Sequence, residues 1–151
     1  MEEKECIFCK IVRGEIPTDK IYEDKYTLAF LDIQPNNLGH SLVIPKAHFK
    51  NVYEAPDEVL GQIMATAKKV AIAVKKGVDA EGINIASNNE PAAGQLVFHT
   101  HVHVIPRYSN DGFRHWPAKP GFTKKEFGET AKKIREILNK QIKLGEVEAY
   151  N

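Results

Sequence analysis

The sequence has little cysteine, no excess of charge of either sign, and no long apolar run. Two cysteines in 151 residues, Cys6 and Cys9, are too few for a disulfide framework. Their C-x-x-C spacing suggests instead a redox pair or half of a zinc site. With 21 basic against 20 acidic residues the net charge is +1, so the chain lacks the electrostatic footprint that duplex nucleic acid or a membrane surface requires. The opening Met1-Glu2-Glu3-Lys4-Glu5 is charged and leads into no apolar segment. That argues against a signal peptide and a transmembrane helix, and the expected compartment is the cytoplasm. No repeat and no low-complexity tract is present. Hydrophobic residues at 42% and charged residues at 27% describe an ordinary globular protein, most simply one domain.

Against that plain background one stretch stands out. Phe98-His99-Thr100-His101-Val102-His103-Val104-Ile105-Pro106-Arg107 holds three of the chain's 6 histidines. Alternation with β-branched residues predicts a strand. On a strand, residues two apart share a face at a spacing of about 6–7 Å. His99, His101 and His103 then form one row, with Thr100, Val102 and Val104 pointing the other way. Pro106 is expected to end the useful pairing. The row can be read as a solvated strand face, a three-histidine metal site, or a catalytic row in which a neutral imidazole attacks an electrophile.

The rest of the chain reads as ββ-β-α-β-β-α. A short helical turn is predicted over 6–12, then a hairpin of Ile21–Glu23 with Tyr26–Asp32, then a strand His40–Ile44 stopped by Pro45. Leu60, Ile63, Met64, Ala67, Val70, Ala71 and Val74 recur at helical spacing between Pro56 and Gly77, a stripe suited to packing on a sheet. Gly82–Ser87 reads as a strand and Asn88–Gly94 as a loop. Thr123-Lys124-Lys125-Glu126 has the form of a capping box that starts a last helix carrying Phe127, Ala131, Ile134, Ile137 and Leu138. The implied class is α+β, with helices packed on an antiparallel sheet.

Two thiolates need two further ligands for a tetrahedral site. His48 and His99 are the candidates. A Cys6, Cys9, His48, His99 site would be closed and structural, and would leave His101 and His103 for chemistry. The alternatives are zinc on the three histidines of the row, which leaves the cysteines without a purpose, and a redox C-x-x-C, which lacks a surrounding βαβ pattern.

These residues together resemble the histidine-triad (HIT) superfamily of nucleotide hydrolases and transferases, in particular its small Hint-like and bacterial Hit members. The pattern His-φ-His-φ-His-φ-φ reads here as His99-Thr100-His101-Val102-His103-Val104-Ile105. It is supported by Cys6-Ile7-Phe8-Cys9-Lys10-Ile11, Phe30-Leu31-Asp32-Ile33, Gly39-His40-Ser41-Leu42-Val43-Ile44-Pro45-Lys46 and Gly94-Gln95-Leu96-Val97. The resemblance implies a single HIT domain over 1–151, with a zinc-staple segment at about 1–17 and a helical extension at about 110–151. Its sheet would have about five strands and two main helices, and would join its twin's sheet across a homodimer. One structural zinc per subunit on Cys6, Cys9, His48 and His99 is implied, and no catalytic metal.

By the same resemblance His101 is the nucleophile, with His103 and His40 as the other catalytic residues. Phe30, Asp32, Ile33, Asn88, Gly94 and Gln95, with His101 and His103, would bind a purine nucleotide. The expected reaction is hydrolysis or transfer at the α-phosphate of nucleoside phosphoramidate-type conjugates through a nucleotidyl-histidine. Dinucleoside polyphosphate hydrolysis and nucleotide binding with little catalysis are the alternatives. From the residues alone, Asp32 could instead cap a turn, Phe30 could be core and Asn88 could stabilise a turn. Leu96 stands where Hint-type members often carry a serine that assists the leaving group. Trp116 is expected at the dimer interface.

Overall fold

Two adjacent strands that are buried on both faces decide the fold. In the computed structural model, which describes residues 3–114 and 118–145, β1 (Lys20–Glu23), β2 (Thr27–Leu31), β3 (Ser41–Pro45), β4 (Gly82–Ala86) and β5 (Val102–Arg107) form one sheet. Its order is β1-β2-β3-β5-β4, and every neighbouring pair is antiparallel. β2 and β3 lie inside the sheet, and β3 is buried along its whole length.

Alternation sends Leu28, Phe30, Leu42 and Ile44 to one face and Ala29, Val43, Val102 and Val104 to the other. The first face packs against α1 (Ile7–Val12) through Phe8, Cys9 and Ile11. The second packs against α2 (Asp57–Gly77) through Ile63, Ala67, Val70 and Val74. Full burial of a side chain such as Ile63, 1% exposed, contributes about 1.5–3 kcal/mol. Thr66 is buried on the same stripe, where its hydroxyl meets that of Thr27 at 2.9 Å. Met64, expected in the stripe, faces outward instead at 52% exposure. One position beyond Ile63, it has turned about 100° off the buried face.

The strand expected over the histidine row begins only at Val102. Upstream, the Thr100 N–H donates to Phe49 O and the His99 N–H to Val97 O, so main-chain groups that would have joined a ladder are taken locally. The alternation of side chains persists all the same. Val102 and Val104 face α2, while His101 meets Phe8 of α1. Of the two expected proline stops, the one at Pro45 holds, since β3 ends with that residue, and the one at Pro106 does not. Pro45 pairs with Thr27 at the end of β3, and Pro106 pairs with Ile83 inside β5. Pro106 O accepts from the Asn37 side chain, and the pairing of β3 with β5 spans only Ser41–Val43. The missing proline N–H therefore faces a side of β5 where β3 is no longer paired, and it costs no ladder bond.

The chain divides into two compact units, Met1–Phe113 and Arg114–Asn151. The second contains α3 (Lys124–Lys143), whose capping box forms as expected. Glu126 N–H donates to Thr123 Oγ1 at 3.2 Å, and Thr123 N–H donates to Glu126 Oε2 at 2.7 Å. The apolar residues Phe127, Ile134, Ile137 and Leu138 are exposed.

Candidate functional site

Two groups of histidines form on the α1 face, and His99 takes part in both. Its ring is fully buried, and His99 Nε2 lies 2.9 Å from Pro45 O. A carbonyl only accepts, so Nε2 carries the proton and Nδ1 keeps a lone pair. That Nδ1 lies 3.5 Å from Cys6 Sγ, 3.5 Å from Cys9 Sγ and 3.3 Å from His48 Nδ1. His48 Nδ1 is 3.3 Å from Cys9 Sγ. The four atoms fall within 4.8 Å of one another.

These separations fit a tetrahedral ion. Zinc bond lengths imply edges of about 3.3 Å between nitrogens and about 3.5 Å between sulfur and nitrogen. His48 Nε2 is buried without a hydrogen-bond partner, which is the state of a ring oriented by its other nitrogen. Burial, with His48 and His101 close by, pushes the His99 imidazole down to about 4 against the pull of the Pro45 carbonyl. It is neutral at pH 7, as a metal ligand must be. The cluster can hold a metal ion.

The second group begins at the His99 main chain. His101 Nδ1 donates to His99 O at 2.6 Å. The His101 lone pair therefore sits on Nε2. Burial lowers this imidazole's pKa, against the His99 carbonyl and the Asp32 charge. The His101 and His103 rings meet edge to face at 5.0 Å.

His103 is wired in the opposite sense. Asn36 N–H donates to His40 Nδ1 at 3.2 Å, so the proton of His40 is on Nε2, 2.9 Å from His103 Nδ1. His103 Nδ1 must accept, and its own proton is left on Nε2. Asp32 Oδ2 lies 3.7 Å from His40 Nε2. Burial lowers the His40 pKa despite Asp32. Burial first, then His101 and His40, push His103 down to about 4. At neutral pH the pair offers one nitrogen lone pair and one N–H donor side by side. That is the arrangement a nucleophile and a proton donor need.

A family model described as the HIT domain matches residues 13–110. The chain belongs to the HIT family. It is 51% identical over 109 residues to Protein hit of Bacillus subtilis (strain 168), an alignment covering 72% of this chain and 75% of that one. It is 41% identical over 137 residues to the adenosine 5'-monophosphoramidase HNT1 of Saccharomyces cerevisiae, covering 89% and 82%. Among solved structures, a zinc-bound histidine triad family protein from Mycobacterium smegmatis superposes with a TM-score of 0.71 at 42% identity, covering 78% of this chain and 86% of that one.

This HIT chain places the other expected residues unevenly. Phe30 is buried in the core, its ring 5.6 Å from that of Phe8. Ile33 is 87% exposed. Asp32 Oδ1 accepts from Gln34 N–H at 2.8 Å, a turn cap, while Oδ2 faces His40. Asn88 and Gly94 adjoin, since a Cβ on Gly94 would meet Asn88 Nδ2 at 3.6 Å. Gln95 is buried, and its side chain braces the loop. It accepts from Glu90 N–H at 2.7 Å and donates to Lys50 O at 2.6 Å and to Val97 O at 3.1 Å. Leu96 is 84% exposed. Trp116 lies outside the described residues.

Sequence reasoning gave no site role to Phe8, whose ring edge meets His101 at 5.4 Å and His99 at 5.9 Å. The signal was its position between the two cysteines, because a turn that brings both thiols to His99 brings Phe8 as well. The Asn36 N–H that orients His40 carried no sequence signal.

Proposed function

We propose that this protein is a HIT hydrolase or transferase acting at the α-phosphate of purine nucleoside phosphoramidate-type conjugates through a covalent nucleotidyl-His101. The observation that carries the reading is the 2.6 Å bond from His101 Nδ1 to His99 O, which reserves Nε2 of a neutral imidazole for attack. Likeness to an adenosine 5'-monophosphoramidase supports the substrate class.

In the first step Nε2 of His101 forms a bond to phosphorus while the bond from phosphorus to the leaving amine breaks. The amine departs with that electron pair and takes a proton from solvent, passed along the hydrogen bond that His103 Nε2–H makes to it, so that His103 stays neutral. In the second step water attacks phosphorus, the electron pair of the N–P bond returns to His101, and the proton released by the water leaves to solvent. Asp32 accepts hydrogen bonds from the ribose hydroxyls, and Phe30 and Ile33 flank the base. Asn88, Gly94 and Gln95 form the phosphate end, where the Asn88 amide is the donor that stabilises developing charge and Gly94 and Gln95 shape the loop that holds it, their own N–H groups being taken within the protein.

Cys6, Cys9, His48 and His99 would hold one zinc per subunit. Its contribution is to fasten the N-terminal segment to the sheet, and no step passes through it. The zinc-bound relative and the four converging ligand atoms support this. We further propose one HIT domain that works as a cytoplasmic homodimer.

The test is mass spectrometry of protein quenched during turnover of an adenosine phosphoramidate, beside a His101→Ala variant. The expected result is an adenylyl adduct on His101 in wild type and none in the variant. Wild-type turnover by His101→Ala would refute the mechanism. Faster turnover of a diadenosine polyphosphate would change the substrate class. Tight adenosine monophosphate binding without any turnover would make the protein a nucleotide binder.

A further inference from the structure

His99 joins two sites that otherwise share no residue. Its ring lines the Cys2His2 cluster at 3.3–3.5 Å from three prospective ligand atoms, and its main-chain oxygen holds His101 Nδ1 at 2.6 Å. Ring and carbonyl belong to one residue with no exposed surface. His99 lies upstream of β5, where no sheet pairing fixes the backbone. What holds His99 is therefore its ring contacts, the Pro45 carbonyl at its far nitrogen, the bond from its N–H to Val97 O, and the bond from Thr100 N–H to Phe49 O at 2.6 Å, which anchors the peptide unit that carries the His99 carbonyl. The turn between the cysteines adds a second link, because Phe8 presses edge-on against both His99 and His101.

We propose that His99 is a positioning residue through which occupancy of the Cys6, Cys9, His48, His99 cluster by a divalent metal sets the orientation of the His101 imidazole, so that the metal governs catalysis as well as folding. This rests on the nucleotidyl-His101 reading for its kinetic consequence but not for its structural one. With the cluster filled, the His99 ring is pinned from the Nδ1 side as well as the Nε2 side, and its carbonyl keeps one direction. With the cluster empty, the four side chains keep only their contacts with one another at 3.3–3.5 Å. The His99 ring is then held from its Nε2 side alone, and the direction of the acceptor for His101 rests on the main-chain bonds to Val97 O and Phe49 O without the metal's constraint. The consequence is a loss of nucleophile geometry while the sheet and the nucleotide-binding loop, which rest on other residues, remain.

The experiment compares zinc-loaded, chelator-stripped and zinc-reloaded full-length protein, labelled with ¹⁵N in histidine and in the backbone. Four quantities are read: metal content, the tautomer of His101 from long-range ¹⁵N–¹H correlations, adenosine monophosphate affinity, and the rate of adduct formation. Loaded protein is expected to show His101 in the single Nδ1–H tautomer. Stripping should leave the sheet amide signals and keep the nucleotide affinity within twofold. It should also convert His101 to a tautomer mixture and slow adduct formation at least tenfold, and reloading should restore both. A Cys9→Ser variant, depleted of metal without chelator, should match the stripped state.

An unchanged His101 tautomer with an adduct rate within twofold of the loaded protein would overturn the proposal. So would loss of the sheet signals on stripping, because the metal would then be a folding staple alone. Absence of any adduct in loaded wild type would refute the proposed function instead, and the tautomer comparison would still decide the role of His99.

Discussion

Gly39 precedes His40 on the turn from which both His40 and, through β2, Asp32 approach His103. Its φ is +95°, outside the range that a residue with a Cβ adopts easily. A Cβ built there would lie 3.1 Å from Val78 Cγ1, 3.4 Å from Val78 Cγ2 and 3.6 Å from Pro106 Cγ. Gly39→Ala therefore meets two costs. The backbone strain is about 1–2 kcal/mol, and crowding against Val78 adds about 1–3 kcal/mol. Loss of unfolded-chain entropy on replacing glycine returns about 0.4–1 kcal/mol. The expected net destabilisation is about 1–4.5 kcal/mol.

Gly14 supplies the control. Its φ is +76° and nothing lies within 4 Å of a Cβ built there, so Gly14→Ala should cost about 0–1.5 kcal/mol, the strain less the entropy gain. Urea titration of both variants, with Val78→Ala and the Gly39→Ala, Val78→Ala double variant, separates the terms. The double variant should recover about 1 kcal/mol relative to additivity. Equal midpoints for Gly39→Ala and Gly14→Ala, or no coupling with Val78, would refute the reasoning.

Other outcomes follow from the same geometry. Thr27 Oγ1 donates to Asp24 Oδ1, so Thr66 must be the donor in the Thr27–Thr66 pair. Thr66→Val should cost about 1 kcal/mol by thermal unfolding, and Thr27→Val, which deprives both partners, about 1–3 kcal/mol. His103 is held down to about 4 in the folded protein against about 6.5 when unfolded, so only the unfolded chain takes up a proton between those values. Its contribution to stability is complete above pH 6.5 and lost as pH falls to 4. After discounting for partial exposure it amounts to about 1–2 kcal/mol, visible as a drop in the urea midpoint across that window that His103→Gln should reduce. Leu96→Ser, at an 84% exposed site, should change stability by less than about 0.5 kcal/mol while raising adenosine phosphoramidate turnover. Elemental analysis should find one zinc per chain, and less than about a tenth of that in Cys6→Ser, because three remaining ligands leave a structural site open.

The sequence alone determined whatever depends on period and spacing. The odd-numbered histidines and even-numbered valines of 98–105 separate onto opposite faces, as strand alternation requires, even though the regular strand begins only at Val102. The stripe at Ile63, Ala67, Val70 and Val74, the capping box at Thr123 and the pairing of Cys6 and Cys9 with His48 and His99 were legible because each is a local pattern or a ligand count. The tertiary structure alone decided what depends on partners distant in sequence. Pro106 stays within a strand because of which neighbour it faces. Gln95 spends its amide on the loop. Phe8 reaches His101 across 93 positions of chain from a turn fixed elsewhere, the separation between Phe8 and His101 in sequence. The two opposite tautomers, His101 with its lone pair on Nε2 and His103 with its proton there, are chosen by the His99 carbonyl and by the Asn36–His40 link. A histidine in a sequence does not show which of its two nitrogens carries the proton, and the groups that folding brings to each nitrogen decide which one reacts.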